Sequence, residues 1–480
     1  MKSEAKNYFA DAAWVSGAWA RDVLLTVSSE GVWQGVAPNA TAGQKAAAIT
    51  LCGPVLPGVV NAHSHAFQRA IVGLTERRSS AGHASDDFWS WRDRMYSAAN
   101  RITPEQLQAI ASQLYAELLA GGYTQVCEFQ YLHRQTDGAA YADPAEMSLA
   151  LVRAAQTTGI GLTLLPTLYM RSGFSASGLH QLRKDQRRFA STPDSVLRVV
   201  ESIQRQTASD ARINCGVAIH SLRAASPDAL LELSRSADAA GLPIHIHIAE
   251  QTQEVDDCIA QTGQRPIEWL LGHADVGERW NLVHATHTTA AELQGVQQSG
   301  ASIVICPATE ANLGDGVFDL PVYAALAGRW SIGSDSHVTR SWPEELRLLE
   351  YSQRLSQRQR NIAARFGRND SSAAMLFEAA IRGGASARGL FDTKNSGQIA
   401  VGQRADFVTL DGQSPALLGV PADYALDALV FSSPSARFAE VFVAGRRVLA
   451  AGELTGDGAE SATTAGLSAG FTTAMQTLWG

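Results

Sequence analysis

The chain has 480 residues, 45% of them hydrophobic, with a formal net charge of −8 at pH 7. That length and apolar content suit one enzyme-sized domain with a smaller companion. The acidic balance argues against nucleic acid as the main partner, because a phosphate-binding surface needs concentrated Lys and Arg, so small molecules fit better.

Lys2, Glu4 and Lys6 stand where a secretory signal would have its basic and apolar regions. No later stretch offers about 20 uninterrupted apolar residues. A soluble, cytoplasmic protein with no membrane partner is expected. Short β-like runs at 22–28 and 32–36 are joined across a Ser-Glu-Gly turn. A strand is predicted at 57–61, and a helix opens at Thr103-Pro104-Glu105, runs through Leu107, Ile110, Leu114 and Leu118, and stops at Gly121-Gly122. Further strands are predicted at 123–129, 161–167, 213–219, 243–248, 281–283, 302–306 and 330–333, mostly separated by helical segments.

Eight such strands over a little more than 300 residues fit an α/β fold of the (β/α)8, TIM-like barrel type better than an open doubly wound sheet. The β texture of the N-terminus returns at 405–410 and 440–448. Together they suggest one small β-sandwich unit built from both termini. The expected organisation is therefore an N-terminal portion of the sandwich at 1–60, the metal-dependent barrel at 61–389, a C-terminal portion of the sandwich at 390–455 and a C-terminal tail at 456–480. Cys52, Cys127, Cys215, Cys258 and Cys306 are odd in number and lack CxxC pairing, which points to a reducing compartment and buried thiols rather than a disulfide framework.

Several predicted strands end in His, Glu or Asp, and barrel active sites gather at the C-terminal strand ends. His63 and His65 are two residues apart where an apolar strand runs out, so in extended backbone both project to one side and can share a cation. Alone the pair is weak, since such spacing also arises by chance. His247 ends another strand and has Glu250 three residues on; His245, one layer deeper, suits an ordinary barrel-interior residue. Asp335 follows the last strand and offers a carboxylate ligand. Three imidazoles and a carboxylate suit zinc or another borderline divalent ion. His284, also at a strand end, is placed beside the ligands, hydrogen-bonded to the nucleophilic water, with an ordinary buried histidine as the bland alternative. His220 ends the fourth strand, and 217–223 contains no lysine that could be carbamylated to bridge two metals. One metal is the economical reading.

This pattern resembles the amidohydrolase superfamily in its single-metal deaminase branch. The runs at 57–69, 88–92, 128–131, 220–223, 245–251 and 309–316 are similar to the formiminoglutamate deiminases, over nearly the whole chain including 397–406. The resemblance implies hydrolysis of N-formimino-L-glutamate to N-formyl-L-glutamate and ammonia in histidine degradation. It implies one divalent ion per chain, Zn2+ by ligand type, held by His63, His65, His247 and Asp335. Glu250, His284 and Asp335 would be catalytic: Asp335 and His284 orient and deprotonate the water, and Glu250 delivers a proton to the departing nitrogen. Gln68, Arg92, Tyr131, His220 and Arg223 would line the substrate pocket, and a homodimer is the family-level expectation. Gln130 departs from the pattern, which has histidine before the tyrosine.

The substrate has two carboxylates and a cationic amidine, and guanidinium forks such as Arg92 and Arg223 bind carboxylates bidentately. A purine, pterin or other cyclic amidine is the alternative substrate; it calls for an aromatic face and fewer arginines, and Tyr131 with Trp89 and Trp91 leaves room for it. A scaffold that has lost catalysis fits poorly, because every expected ligand is present.

Overall fold

A computed structural model describes residues 5–77, 87–174, 181–391, 396–433, 438–455 and 462–480. Its centre is a parallel barrel: β1 (Val59–Ser64), β2 (Tyr123–Gln130), β3 (Gly161–Leu168), β4 (Val217–Ile219), β5 (Ile244–Ile248), β6 (Trp280–His284), β7 (Ser302–Ile305) and β8 (Arg329–Ile332). Each pairs in parallel with the next. The ring closes through a parallel bridge between Ser64 and Asp335. All eight predicted strands are present, but 213–219 is broken into Ile213–Cys215 and β4. The break is at Gly216, where a Cβ would stand 2.6 Å from the Pro243 carbonyl oxygen, so only glycine lets the two strands approach there.

The helix predicted after Thr103 is Pro104–Ala120, with Thr103 and Gln106 closing a reciprocal capping box and Gly121 ending it. Its apolar residues Leu107, Ile110, Leu114 and Leu118 are buried against the barrel. No helix among the described residues is long and apolar enough to cross a membrane.

Both chain ends contribute to one nine-stranded sheet. The joint is antiparallel pairing of Val55–Pro57 with Phe407–Leu410. Val32 bridges to Arg404, so the far edge returns to the C-terminal strands and encloses a core of Tyr8, Leu25, Trp33, Phe407 and Phe442. Phe407 and Phe442 stack at 4.2 Å, and Tyr8 meets both rings edge-on. Lys6–Val15 is missing from the predicted strands; Ala10, Ala12 and Ala13 are poor strand formers and blur the alternation. Beyond this sheet, Thr464–Trp479 forms a helix docked on the barrel. Trp479 Nε1 donates to the Ala70 carbonyl at 3.0 Å, and Arg101 stacks over the Trp479 ring at 4.4 Å.

Asp406 ties the sheet to the barrel floor. Its carboxylate accepts from Arg404 Nε at 2.8 and 2.9 Å and from the Ala444 amide at 2.9 Å, and pairs with Arg388 at 3.4 Å. Arg404 in turn donates to Gln125 of β2 at 2.6 Å. Burial disfavours the charged carboxylate, but the Arg404 and Arg388 guanidiniums outweigh it and hold its pKa below the usual value. Removing one member of such a buried cluster strands the others, at about 3 kcal/mol. Asp406→Ala should therefore lower the denaturant midpoint at neutral pH. With the folded pKa depressed, the contribution is complete above the unfolded value of about 3.9 and fades as pH falls through the folded one. The gap between wild type and variant should accordingly narrow in acid.

Candidate metal centre

β1 delivers His63 and His65 to the barrel mouth, both essentially buried at 0% and 3% exposure. β5 delivers His247 and β8 leads to Asp335. His247 Nε2 lies 3.0 Å from His63 Nε2 and 3.3 Å from His65 Nε2. Asp335 Oδ1 lies 3.5 Å from His63 Nε2 and 3.4 Å from His65 Nε2. A tetrahedral ion with donors at about 2.1 Å spaces those donors about 3.4 Å apart. His247 and Asp335 each thus lie at such a spacing from both His63 and His65, and the donors gather in two overlapping groups, His63, His65 and His247, and His63, His284 and Asp335.

Hydrogen bonds fix which ring nitrogens face inward. His65 Nδ1 donates to the Phe129 carbonyl at 3.0 Å and His247 Nδ1 to the His220 carbonyl at 2.8 Å. Each Nε2 is therefore a lone pair, and two lone pairs 3.3 Å apart repel unless a cation lies between them. Burial, reinforced for His63 and His247 by neighbouring imidazoles, pushes the pKa of all three histidines down, which keeps them neutral and ready to ligate. His63 Nδ1 has no hydrogen-bond partner among the described residues.

The seam of the barrel and the metal centre are one feature. The Asp335 amide donates to the His63 carbonyl at 3.0 Å, and the His65 amide to the Asp335 carbonyl at 3.3 Å. Gly333 makes this approach possible, since a Cβ there would stand 2.6 Å from that of His63. Asn61 exchanges two bonds with Ser334, and His337 donates from Nε2 to the His65 carbonyl at 3.1 Å while Nδ1 meets Ser334 Oγ at 2.9 Å. Backbone strain collects here. Of thirteen non-glycine residues with positive φ among those described, five are Ala249, His284, Ala285, Asp335 and His337.

Every predicted site residue except His63 lines one cavity above the centre; His63 lies beneath it. On one side are Gln68, Tyr131 and His220, with Gln68 Nε2 donating to the Tyr131 hydroxyl at 3.3 Å. Helix Phe88–Ala99 brings Arg92 over the Trp89 ring at 4.3 Å. Arg223 stacks on the same ring at 5.5 Å. Neither guanidinium donates to a protein acceptor among the described residues, and Arg92 Nε is buried with no partner. On the other side His284 Nε2 lies 3.7 Å from Glu250 Oε1 and 3.8 Å from Asp335 Oδ2. Burial opposes a charge on His284, yet Glu250, Glu310 and Asp335 together lift its pKa to about 10. Burial and Asp335 raise Glu250 to about 7 against the pull of His284.

His245 stays outside the centre: its Nε2 donates to the Ala387 carbonyl at 2.9 Å, and burial pushes it down to about 4, so it is a neutral interior residue. Gln130 also turns away, donating to the Leu132 carbonyl at 2.8 Å. Three carboxylates carry roles that sequence reasoning left unassigned. Glu128 accepts from the Ser64 hydroxyl at 2.7 Å and the Ala66 amide at 2.6 Å, gripping the chain around His65. Glu254 accepts from the Ala249 and Glu250 amides at 3.2 and 3.1 Å. Glu310 Oε1 accepts from the Cys306 amide at 2.8 Å and lies 3.4 Å from His284 Nδ1. Their spacing offered a weak signal: Glu254 is four residues past Glu250, and Glu310 lies in the first turn of a helix opened by Pro307.

Residues 55–448 match the model of the Amidohydrolase family. The chain is 45% identical to formimidoylglutamate deiminase of Pseudomonas aeruginosa, covering 94% of this chain and 96% of that one. It is 27% identical to a 5-methylthioadenosine/S-adenosylhomocysteine deaminase of Halobacterium salinarum over 76% of this chain and 75% of the other. Among solved structures it superposes on an amidohydrolase from Brucella melitensis with a TM-score of 0.90 and 38% identity, covering 99% and 100% of the two chains. A zinc-bound adenosine deaminase from Xanthomonas campestris shares the fold at a TM-score of 0.78 and 22% identity over 98% of each. The parallel barrel with its histidine and aspartate centre, the family match and these similarities agree: the chain belongs to the amidohydrolase family.

Proposed function

We propose that this enzyme hydrolyses N-formimino-L-glutamate to N-formyl-L-glutamate and ammonia, using one Zn2+ held by His63, His65, His247 and Asp335. The observation that carries the substrate class is that two guanidiniums, Arg92 and Arg223, line one cavity with the carboxylates of Glu250 and Asp335. Arg92 Nε is buried without a partner among the described residues, and Arg223 lies in the field of Glu254 and Glu250. A ligand with carboxylates at one end and a cationic amidine at the other matches that polarity. Part of the aromatic surface a flat purine would use is covered by arginine: Trp89 lies under both guanidiniums, and Arg92 also sits over Tyr96 at 5.5 Å, while Trp91 and Tyr131 line the cavity. The resemblance to the Pseudomonas aeruginosa deiminase, at 45% identity over almost all of both chains, supports the same substrate.

Zn2+ held by His63, His65, His247 and Asp335 would acidify a water, lowering its pKa from 15.7 to about 7. Asp335 Oδ2 stands where it can accept a water proton as oxygen attacks the formimino carbon, and His284 Nε2 beside it orients the attack. Glu250, poised near neutrality by burial, carries protons to the imino nitrogen. Both water protons end on that nitrogen, the carbon–nitrogen bond breaks, and the cationic amidine is converted to a formyl group and ammonium, the protonated form of ammonia. Glu254, gripping the Glu250 amide, keeps this carboxyl aimed into the cavity.

The pure enzyme should release ammonia from formiminoglutamate and not from guanine or adenosine; the reverse preference defeats the assignment. Glu250→Gln should retain its metal by elemental analysis and lose at least about 1,000-fold in kcat, within the range for a general acid–base group. Arg92→Met and Arg223→Met should each raise KM with a smaller change in kcat if their guanidiniums hold carboxylates in ground and transition states alike. Asp335→Ala should lower metal affinity more than about 100-fold, beyond the cost of losing an outer partner, as measured by competition with a chelating dye.

A further inference from the structure

His284 is enclosed by carboxylates on both ring nitrogens. Nε2 faces the cavity toward Glu250 and Asp335, and Nδ1 faces away from it toward Glu310. Glu310 is 4% exposed and does not line the cavity. Its Oε1 is anchored by the Cys306 amide at the start of helix Pro307–Leu313, so the carboxylate is held by the backbone at the end of β7. His284 has φ +69° and Ala285 +51°, left-handed values that non-glycine residues seldom adopt. The ring therefore leaves β6 in a direction that local backbone preference does not favour, and something outside the strand must hold it.

We propose that Glu310 is a positioning residue for His284: its carboxylate keeps the proton on Nδ1 and so points Nε2 at the reacting water. This rests on the reading of His284 as a group that handles that water. A buried imidazole has two tautomers, and which nitrogen carries the hydrogen is set by the partner of the other. Glu310 accepts only, so Nδ1 keeps its hydrogen both in the neutral ring and in the imidazolium that the surrounding carboxylates favour, and the ring plane is held by the same logic by which a buried carboxylate orients a catalytic histidine in hydrolases. His284, Cys306 and Glu310 also lie close enough together to be weighed as a second cation site. The bond from the Cys306 amide to Glu310 Oε1 and the contact of that same oxygen with His284 Nδ1 already engage the carboxylate.

The test is Glu310→Leu in the metal-loaded enzyme, a change that keeps bulk and removes the oxygen facing His284 Nδ1. Glu310→Gln, whose amide oxygen can still accept from both the Cys306 amide and Nδ1, should restore kcat toward wild type. Expected for Glu310→Leu are a fall in kcat of roughly 10- to 100-fold, the range for losing an outer carboxylate partner, with KM within about twofold and metal content unchanged. The double variant Glu310→Leu/His284→Asn should be no slower than His284→Asn alone, because Glu310 acts only through that ring. With 15N-histidine labelling, the Nδ1–H resonance absent in His284→Asn should move or broaden in Glu310→Leu. Additive losses, an unmoved resonance, or loss of a second metal equivalent would each overturn the proposal. If wild type proves inactive on formiminoglutamate, the substrate reading fails, while the His284 resonance still decides the role of Glu310.

Discussion

Three neutral imidazoles buried together with a carboxylate, two of them, His65 and His247, with their lone pairs turned toward one another, are unfavourable without a cation among them. The structure is organised around that constraint. His65 and His247 are locked by backbone carbonyls into the orientation that creates the repulsion, so the arrangement is built for an ion and cannot relax by ring rotation. Asp335, the residue proposed to complete the donor set, also makes the backbone bridge that closes the barrel. Closing the fold and assembling the centre are thus the same event.

Positive-φ residues are tolerated where surrounding structure over-determines them, at a cost of order 1–3 kcal/mol each. Here they cluster at the ends of β5, β6 and β8, and each turn is gripped by a nearby polar group. Glu254 holds Ala249 and Glu250, Asn61 and Ser334 hold the approach to Asp335, and His337 holds the His65 carbonyl. The strain re-aims side chains that a regular strand would point along the wall. Binding and chemistry then divide the cavity by charge. Aromatic rings carry the arginines at one end, and burial raises the proton affinity of Glu250 at the other.

The barrel could be read from strand-length apolar runs between helical segments, because parallel strands covered on both faces give continuous hydrophobic stretches. The strand Lys6–Val15 was hidden because it is built partly on alanine, which carries no strand signature. The four proposed ligands, Glu250 and His284 stood out because each lies at or just past a strand end, where barrels concentrate function. Glu128, Glu254 and Glu310 stood out much less, since a lone glutamate looks the same whether it solvates a surface or grips a buried amide.

What the sequence determined by itself was the inventory and its order: eight strands, the histidines and carboxylate at their ends, and β texture at both termini. Those follow from local periodicity, which is written along the chain. Only the tertiary structure decided that His247 and Asp335 each come within 3.0 to 3.5 Å of His63 and His65, that His245 does not join them, and that Glu310 touches His284 from behind. Those outcomes depend on barrel closure and on backbone turns at positive φ, and both are set by contacts between residues as far apart as Asn61 and Ser334.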